Sequence, residues 1–163
     1  MKQFSFFAAG LPATAGSKSA FPFTRKDGTI GVNQVDACKR GKSWRKVVQA
    51  AARKKYGAPG NCPIDAIFNA PLCLEIVFFL PRPKSHYGTG KNAAVLKATA
   101  PKRHTRTPDA TKLQRAIEDA LTGILWKDDC QVYSVQSRKE WCNHGFDGAM
   151  VTVINNEDNE VTK

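Results

Sequence analysis

Acidic side chains in the middle of the chain have the types and spacing that phosphate chemistry requires. Asp109 opens a run with helical spacing, and the Asp128–Asp129 pair follows that run just before an apolar stretch. Mg²⁺ prefers carboxylate oxygens and keeps several waters, so a few such ligands can hold it on a phosphodiester. Arg115, within the same run, could stabilise charge developing on the phosphate. Judged by spacing alone, structural roles explain these acids better than metal binding does: Asp109 would cap a helix, and Asp128 and Asp129 would begin a strand.

The composition of the whole chain favours a nucleic-acid partner. The 163 residues carry a formal net charge of +11 and are 42% hydrophobic, enough for one domain with a core. Neutralising phosphates releases counterions and gives affinity independent of base sequence, which explains a strong basic excess. A solubilising surface explains it less well, because acidic residues serve that purpose at least as well. Acids clustered in a basic chain therefore indicate a nuclease.

The cysteines and the apolar segments indicate a soluble protein of the reducing cytoplasm. The five cysteines are an odd number and include no Cys-x-x-Cys pair, so we expect neither a zinc site nor a disulfide framework. The apolar run near the amino end is too short for a secretion signal, and no segment approaches membrane-spanning length. We expect no membrane partner and no small-molecule cofactor.

The elements that must position the acids begin with a strand, a hairpin and a helix. Residues 2–9 have the pattern of a strand, and residues 19–32 that of a hairpin whose turn contains Asp27 and Gly28. Ser43 can cap a helix that ends near Tyr56, where Gly57 stops it. Its expected core face is formed by Trp44, Val47, Val48, Ala51 and Ala52.

A strongly apolar strand and a basic loop follow. Residues 71–80 are almost continuously apolar, which predicts a central strand covered on both faces. Glu75 interrupts this pattern, and an ion pair with a neighbouring base explains it slightly better than a metal does. Residues 81–106 contain no acid, and so long a connection is typically functional or disordered until DNA binds. Within it, His86 and His104 are predicted to be phosphate contacts or bystanders.

A helix with a clear apolar stripe carries the first acid. Thr107 or Asp109 can cap it, Pro108 suits its first turn, and Gly123 ends it. The predicted buried stripe consists of Ala110, Leu113, Ile117, Ala120, Leu121 and Ile124. Thr111, Arg115, Glu118 and Thr122 share a polar face, because residues three or four apart are neighbours on a helix.

The end of the chain is predicted to form two strands and a tail. Residues 131–142 and 148–154 have strand patterns, and we expect them to pair antiparallel around a turn that contains His144. Residues 157–163 form an acidic tail with the composition of a frayed end.

Taken as one string, the residues of the acidic segment are a more specific signal of function than the spacing of the acids alone. It reads Pro108-Asp109-x-x-Lys112-Leu113-x-Arg115-x-x-x-Asp119-Ala120-Leu121-Thr122-Gly123, then Trp126-x-Asp128-Asp129-x-Gln131-Val132. This string resembles the signature of RusA-like Holliday junction resolvases, the phage and prophage crossover junction endodeoxyribonucleases. The early strand ending in Gly-x-Pro, the run Pro-Arg-Pro-Lys-Ser-His after the apolar strand, and the order of elements are also similar.

The resemblance implies a fold, an activity and partners. It implies an α+β fold: a single small domain over residues 1–156, with a mixed or antiparallel sheet packed by two main helices, the basic loop at 81–106 and the tail at 157–163. It implies a homodimer that resolves four-way (Holliday) or branched DNA junctions by phosphodiester hydrolysis with Mg²⁺ or Mn²⁺. The setting would be phage recombination, repair or replication in the cytoplasm of a bacterial host.

The resemblance also assigns roles to individual residues. The catalytic residues would be Asp109, Asp129 and Arg115, and Asp128 and Thr111 would join the two aspartates around the metal. We expect DNA to be bound by basic side chains of the loop and of the first helical turn, which are Lys84, Lys102, Arg103, Arg106 and Lys112.

One position departs from the family pattern. The family usually reads Asp-x-Asp at the helix start, and here the second aspartate is replaced by Thr111. A hydroxyl can bind a metal but brings no charge. Glu118 lies about 10 Å farther along the helix axis, too far to substitute directly, so Glu75 is the better replacement if its strand packs beside this helix. The alternative function is a junction-binding protein that has lost catalysis; a basic RNA-binding domain ranks behind both.

Overall fold

The computed structural model describes residues 2–16, 18–36, 38–56, 68–142 and 145–155. Its main elements are β1 (Lys2–Ala9), β2 (Lys18–Thr24), β3 (Ile30–Asp36), α1 (Gly41–Tyr56), β4 (Leu72–Pro81), α2 (Ala110–Leu121), β5 (Val132–Cys142) and β6 (Gly148–Asn155). Short 3₁₀ turns cover Lys84–His86, Gly90–Asn92 and Asp129–Gln131. The predicted α+β class, with two main helices on a mixed sheet in one small domain, is confirmed. Gly57, His144 and the acidic tail lie outside the described residues.

The main sheet has four strands in the order β1-β6-β4-β5. β6 pairs antiparallel with both β1 and β4, whereas β5 pairs parallel with β4. The prediction that the last two strands form an antiparallel hairpin is therefore wrong. The reason lies in their burial: most of β6 is buried, which suits an interior position, while exposed residues alternate along β5, which suits an edge.

Burial along β4 shows that the helices cover one face of the sheet. Leu72, Leu74, Ile76, Phe78 and Leu80 are buried in the same core as the apolar sides of both helices. The residues between them are partly or fully exposed, so the prediction of a strand covered on both faces is wrong. Glu75 is exposed beside Gln136 and Arg138 on the open face. Since side chains alternate along a strand, Glu75 points away from the helices and does not replace the missing aspartate.

Helix α1 begins two residues before its predicted cap. Ser43 lies inside the first turn, where its hydroxyl donates a hydrogen bond to the Arg40 carbonyl oxygen at 2.9 Å. Trp44, Val48 and Ala52 are buried as predicted, whereas Val47 is 36% exposed. The buried face of α1 packs on α2 and β1.

Helix α2 matches its predicted bounds and stripe closely. Its buried residues are Leu113, Ala116, Ile117, Ala120 and Leu121, and Ile124 is buried just after it, whereas Ala110 is only partly buried. Gly123 has a φ of +76°, a left-handed conformation that favours glycine and turns the chain away from the helix. Leu125 and Trp126 are then buried as well, so the turn that carries the second acidic pair is anchored in the core.

The hairpin of β2 and β3 forms a separate two-stranded sheet. Its turn contains Gly28 at a φ of +81°, as the predicted turn requires. The strands extend beyond the predicted residues 19–32, and Phe21, Phe23, Ile30 and Val32 are exposed along them. No helix among the described residues has the length and apolar character needed to cross a membrane.

Candidate active site

The second acidic pair lies on a tightly bonded turn. The Asp128 carboxylate accepts a hydrogen bond from the Cys130 backbone N–H at 3.0 Å, which lowers the pKa of Asp128. The Gln131 side-chain oxygen accepts from the backbone N–H groups of Lys127 and Asp128, and its nitrogen donates to the Phe68 carbonyl oxygen at 2.7 Å. Asp128 and Gln131 therefore hold the shape of the turn, and Asp129 is the member left to face outward.

Asp129 is positioned by two hydrogen bonds from the end of α2. The Thr122 hydroxyl donates a short hydrogen bond to Oδ1 of Asp129, and the indole N–H of Trp126 donates to the same oxygen at 3.1 Å. Trp126 is fully buried, so its N–H holds the carboxylate against the core. Both bonds end on Oδ1, and the second oxygen of this exposed side chain can accept a further ligand.

Glu118 completes an acidic pair with Asp129. Partial burial is the largest cause of its raised pKa, and the charges of Asp129 and Asp119 raise it further. Two interactions oppose this: Gln114 donates a hydrogen bond to the Glu118 carboxylate at 3.3 Å, and the charge of Arg115 favours the ionised form. Gln114 is held in turn by a hydrogen bond from Ser137 on β5. Burial of Glu118 and the neighbouring acids together therefore favour its protonated form.

Asp109 lies at the other end of α2. It occupies the N-cap position, but its side chain makes no capping hydrogen bond and instead pairs with Lys112 at 3.3 Å. Both partners are more than half exposed. The prediction of a side-chain cap by Asp109 is wrong, because the carboxylate turns to the lysine one helical turn ahead. Thr111 is exposed in the same first turn.

The predicted metal ligands do not converge within one chain. Asp129 bonds to Thr122 at the C-terminal end of α2, about 20 Å along the helix axis from Asp109. In the described part of the chain, no three His, Cys, Asp or Glu side chains are grouped to hold a metal ion. Glu118 is the residue that sequence reasoning missed, since its distance was judged from Thr111. The signal was its helical spacing to Thr122, the residue that Asp129 contacts.

Arg115 lies between this acidic pair and a basic cleft. The cleft, about 410 Å³ in volume, separates α1 from α2 and is lined by Lys42, Arg45, Arg115 and Asp119. Arg45 forms an ion pair with Asp119 at 3.5 Å. Because the charge of Arg115 also acts on Glu118, this guanidinium can reach toward either feature.

The predicted DNA-binding bases of the loop lie at the surface. Lys84, Lys102, Arg103 and Arg106 are all exposed. Arg103 is 80% exposed and forms a loose ion pair with Glu140 at 3.5 Å, so DNA phosphates could displace that carboxylate at little cost. These positions are compatible with phosphate contact.

The two loop histidines are buried, which favours the second of their two predicted roles, that of bystanders, over phosphate contact. His86 and His104 pack against Trp141, with ring centroids 5.0 and 4.1 Å from the indole, and Arg82 lies over the same ring. Burial is the main cause of their lowered pKa, and neighbouring cations lower it further. The loop is therefore packed on β5 through Trp141.

Comparison with known protein families agrees with this geometry. An acidic pair beside a cationic cleft, on a strongly basic chain, is an arrangement suited to nucleic-acid phosphates. The family model described as endodeoxyribonuclease RusA matches residues 18–153, and the chain belongs to this family. The match confirms the resemblance and covers both helices, the basic loop and both acidic groups. Membership implies an endodeoxyribonuclease that resolves DNA junctions. No individual protein with a curated description matches the chain.

Proposed function

We propose that this protein is a metal-dependent endodeoxyribonuclease that cuts four-way or otherwise branched DNA during phage recombination or replication. The observation that carries the proposal is the placement of two acids, Glu118 and Asp129, beside Arg115 in a chain of the RusA family. Paired carboxylates next to a cation are the groups that phosphodiester hydrolysis requires.

Glu118 and Asp129 are the residues that would hold Mg²⁺ or Mn²⁺. Partial burial first, and then the charge of Asp129, raise the pKa of Glu118, and a divalent cation would stabilise the ionised carboxylate. Two carboxylates suffice for Mg²⁺, which keeps several waters. When bound, the metal would supply Lewis-acid stabilisation and an activated water. Asp128 is left out of this set because, unlike that of Asp129, its charge is not among those that act on Glu118.

The role of Asp109 depends on a second copy of the chain. Two symmetric nicks require two active sites related by a two-fold axis. In such a homodimer, the exposed Asp109 and Thr111 of one protomer would complete the acidic pair of its partner. This arrangement would reunite the predicted ligands, although α2 separates them in a single chain.

The protein's own side chains have distinct tasks in this scheme. Trp126 and Thr122 orient the Asp129 carboxylate, and Gln114 orients Glu118. The guanidinium of Arg115 is the donor for the negative charge that accumulates on the phosphate oxygens as water attacks phosphorus. Exposed loop bases hold the DNA arms through their phosphates.

Cleavage of a labelled four-way junction with Mg²⁺, Mn²⁺ or no metal tests the proposal. We expect paired nicks that require a divalent ion and a loss of at least about 100-fold in Asp129→Asn. A linear duplex of the same sequence is the control for structure selectivity. Tight junction binding without cleavage under any divalent metal would instead support the non-catalytic alternative, which the exposed hydroxyl of Thr111 in place of an aspartate motivates.

Replacing Arg115 separates catalysis from binding. We expect Arg115→Ala to reduce the single-turnover cleavage rate about 100-fold while junction affinity falls by no more than about tenfold, because the guanidinium stabilises charge that develops only during reaction. Arg115→Lys, which keeps the charge, is the matched control. Equal losses in rate and affinity would show that Arg115 only binds DNA and does not stabilise the transition state.

A further inference from the structure

The cleft between α1 and α2 has the charge and shape of an anion site. Lys42 and Arg45 enter it from the first turns of α1, and Arg115 enters it from α2. Among the residues that the structure describes, Asp119 is the single carboxylate in the lining, and it pairs with Arg45. This described lining keeps an excess of two positive charges within about 410 Å³. Three long cations repel one another in so small a space unless an anion joins them.

The walls of the cleft are held in place before any ligand binds. The backbone N–H of Ala15 donates to the Lys112 carbonyl oxygen at 3.0 Å, and Gln49 donates from α1 to the Ala120 carbonyl oxygen at 3.2 Å. A Cβ atom at Gly41 would lie only 3.3 Å from the Thr14 carbonyl oxygen, so the start of α1 closely approaches the loop after β1. The cations thus stand on a preformed frame.

The cleft opens into a longer groove. A second cavity of about 380 Å³ meets it at Thr14 and Cys38 and continues past Arg40 to Pro108. The groove therefore runs beside α2, from the residue before Asp109 to the turn that carries Arg115 and Asp119. An extended strand lying in it would run from the residue next to Asp109 to the turn of α2 that carries Arg115 and Asp119, next to Glu118 in the sequence.

We propose that the cleft binds one backbone phosphate of the DNA strand being cut, and that Lys42 and Arg45 hold it. A phosphodiester carries one negative charge and presents two free oxygens, which suit the fork of an arginine and the ammonium of a lysine. No acid lies in the first turn of α1, so the positive end of that helix adds to the attraction. The inference rests on the proposed function, since DNA is its ligand.

We expect this site to position the DNA strand relative to the Glu118–Asp129 pair. A phosphate in the cleft lies against Arg115, whose charge also acts on Glu118. The next phosphates of the same strand are then brought toward the Glu118–Asp129 pair. Lys42 and Arg45 are accordingly positioning residues, and their loss should weaken binding.

Junction affinity in EDTA at several salt concentrations tests the assignment. We expect Lys42→Ala and Arg45→Ala each to weaken binding about tenfold and to reduce the salt slope by about one. Lys46→Ala and Arg53→Ala remove the same charges from exposed positions of α1 outside the cleft and serve as matched controls. Thermal unfolding of every variant establishes that it is folded. Losses equal to those of the controls would overturn the inference.

Single neutral methylphosphonate substitutions along the junction locate the phosphate. One position should weaken binding of the wild type and of Lys46→Ala, yet have little further effect in Lys42→Ala or Arg45→Ala, as a double-mutant cycle requires for a direct contact. If the effects of the methylphosphonate and of the protein substitution add at every position, the proposed contact with the phosphate is refuted.

Alkylation of Cys38 provides a readout without substitution. This partly exposed thiol lines the cleft, whereas Cys73, also partly exposed, lies on the open face of β4 and is not in the cleft lining. We expect the junction to protect Cys38 and not Cys73 from N-ethylmaleimide. Protection by millimolar inorganic phosphate but not by DNA would assign the cleft to a free anion and overturn the DNA assignment. A wild type that neither binds nor cuts DNA would instead refute the proposed function.

Discussion

Glu118 is partly buried and lies near the negative charges of Asp129 and Asp119, so its ionisation has a cost that can be measured. The raised pKa of Glu118 means that the folded protein binds its proton more tightly than the unfolded chain does. Above its ordinary value of 4.5, stability therefore falls as pH rises through the raised pKa of the folded state. Below 4.5 the carboxyl is protonated in both states and the penalty disappears. Residues retained at such a cost are typical of functional sites.

The first prediction concerns Glu118→Gln. The variant should unfold at a higher temperature than the wild type at pH 8, and the difference should vanish below pH 4.5. Millimolar Mg²⁺ or Mn²⁺ should raise the melting temperature of the wild type and have less effect on the variant, because binding to the folded state stabilises it. Thermal unfolding across this pH range measures both effects.

Glu75→Gln is the control for this experiment, since Glu75 is exposed on the open face of the sheet. It should behave like the wild type in both pH and metal dependence. A Glu118→Gln variant no more stable than the wild type at pH 8 would show that the pair carries no penalty.

Among the elements, the connection between β4 and α2 differs most from its prediction. Its composition is polar and basic, which is typical of a disordered segment, yet His86 and His104 are buried against Trp141. The Lys139 ammonium also donates to the Arg106 and Pro108 carbonyl oxygens, which ties the end of the loop to β5. The exposed lysine and arginine side chains of the loop therefore extend from a segment that is fixed to β5.

This anchoring predicts a dependence of stability on pH. Burial and the charges of Arg82, Arg106, Lys97 and Lys139 lower the pKa of the two histidines below the ordinary 6.5. The unfolded chain then binds more protons than the folded protein just below pH 6.5, so stability falls as pH falls through that value. Chemical denaturation at pH 7.5 and 5.5 should show this loss. Hydrogen exchange of the loop should accelerate in parallel.

The double variant His86→Asn, His104→Asn keeps polar side chains but cannot titrate in this range. Its stability should change less than that of the wild type between the two pH values. An undiminished loss in the double variant would assign the pH dependence to other groups.

Local patterns predicted most of the elements, and nonlocal pairing accounts for the errors. The bounds of β1 and α2 follow from alternation, helical spacing and a terminal glycine, all of which lie within the segment itself. The place of β6 between β1 and β4 depends on which strand is most buried, which its own residues do not show. Likewise, Asp129 reaches Glu118 only because the chain reverses at Gly123 and Trp126 enters the core. The cleft also depends on nonlocal packing, since Arg115 of α2 faces Lys42 and Arg45 of α1 only once the two helices are packed together.

At the scale of the whole molecule, the proposal that Asp109 and Asp129 come together across a dimer can be tested by mixing two inactive variants. If each active site combines Asp109 of one protomer with Asp129 of its partner, a heterodimer of Asp109→Asn and Asp129→Asn contains one intact site. Random pairing should then restore about a quarter of the wild-type sites, seen as single nicks in the junction.

Each variant alone, refolded in the same way, is the control and should remain inactive. If both sites lie within single chains, every site in the mixture carries one substitution and no activity returns. A mixture as inactive as its components would therefore refute the shared site, provided that exchange of subunits is shown with differently tagged chains.

The parallel pairing of β4 with β5 has a consequence for the order of folding. The chain between these neighbours carries the basic loop, α2, Asp109 and Asp129. Joining parallel strands across so long a connection is a slow, nonlocal event, because loop closure must precede the contacts that stabilise it. Helix α2 can form early, but the turn after it meets Phe68 and β5 only once the crossover closes. Regain of nuclease activity during refolding should accordingly follow the slowest structural phase, with no active form preceding the completed sheet.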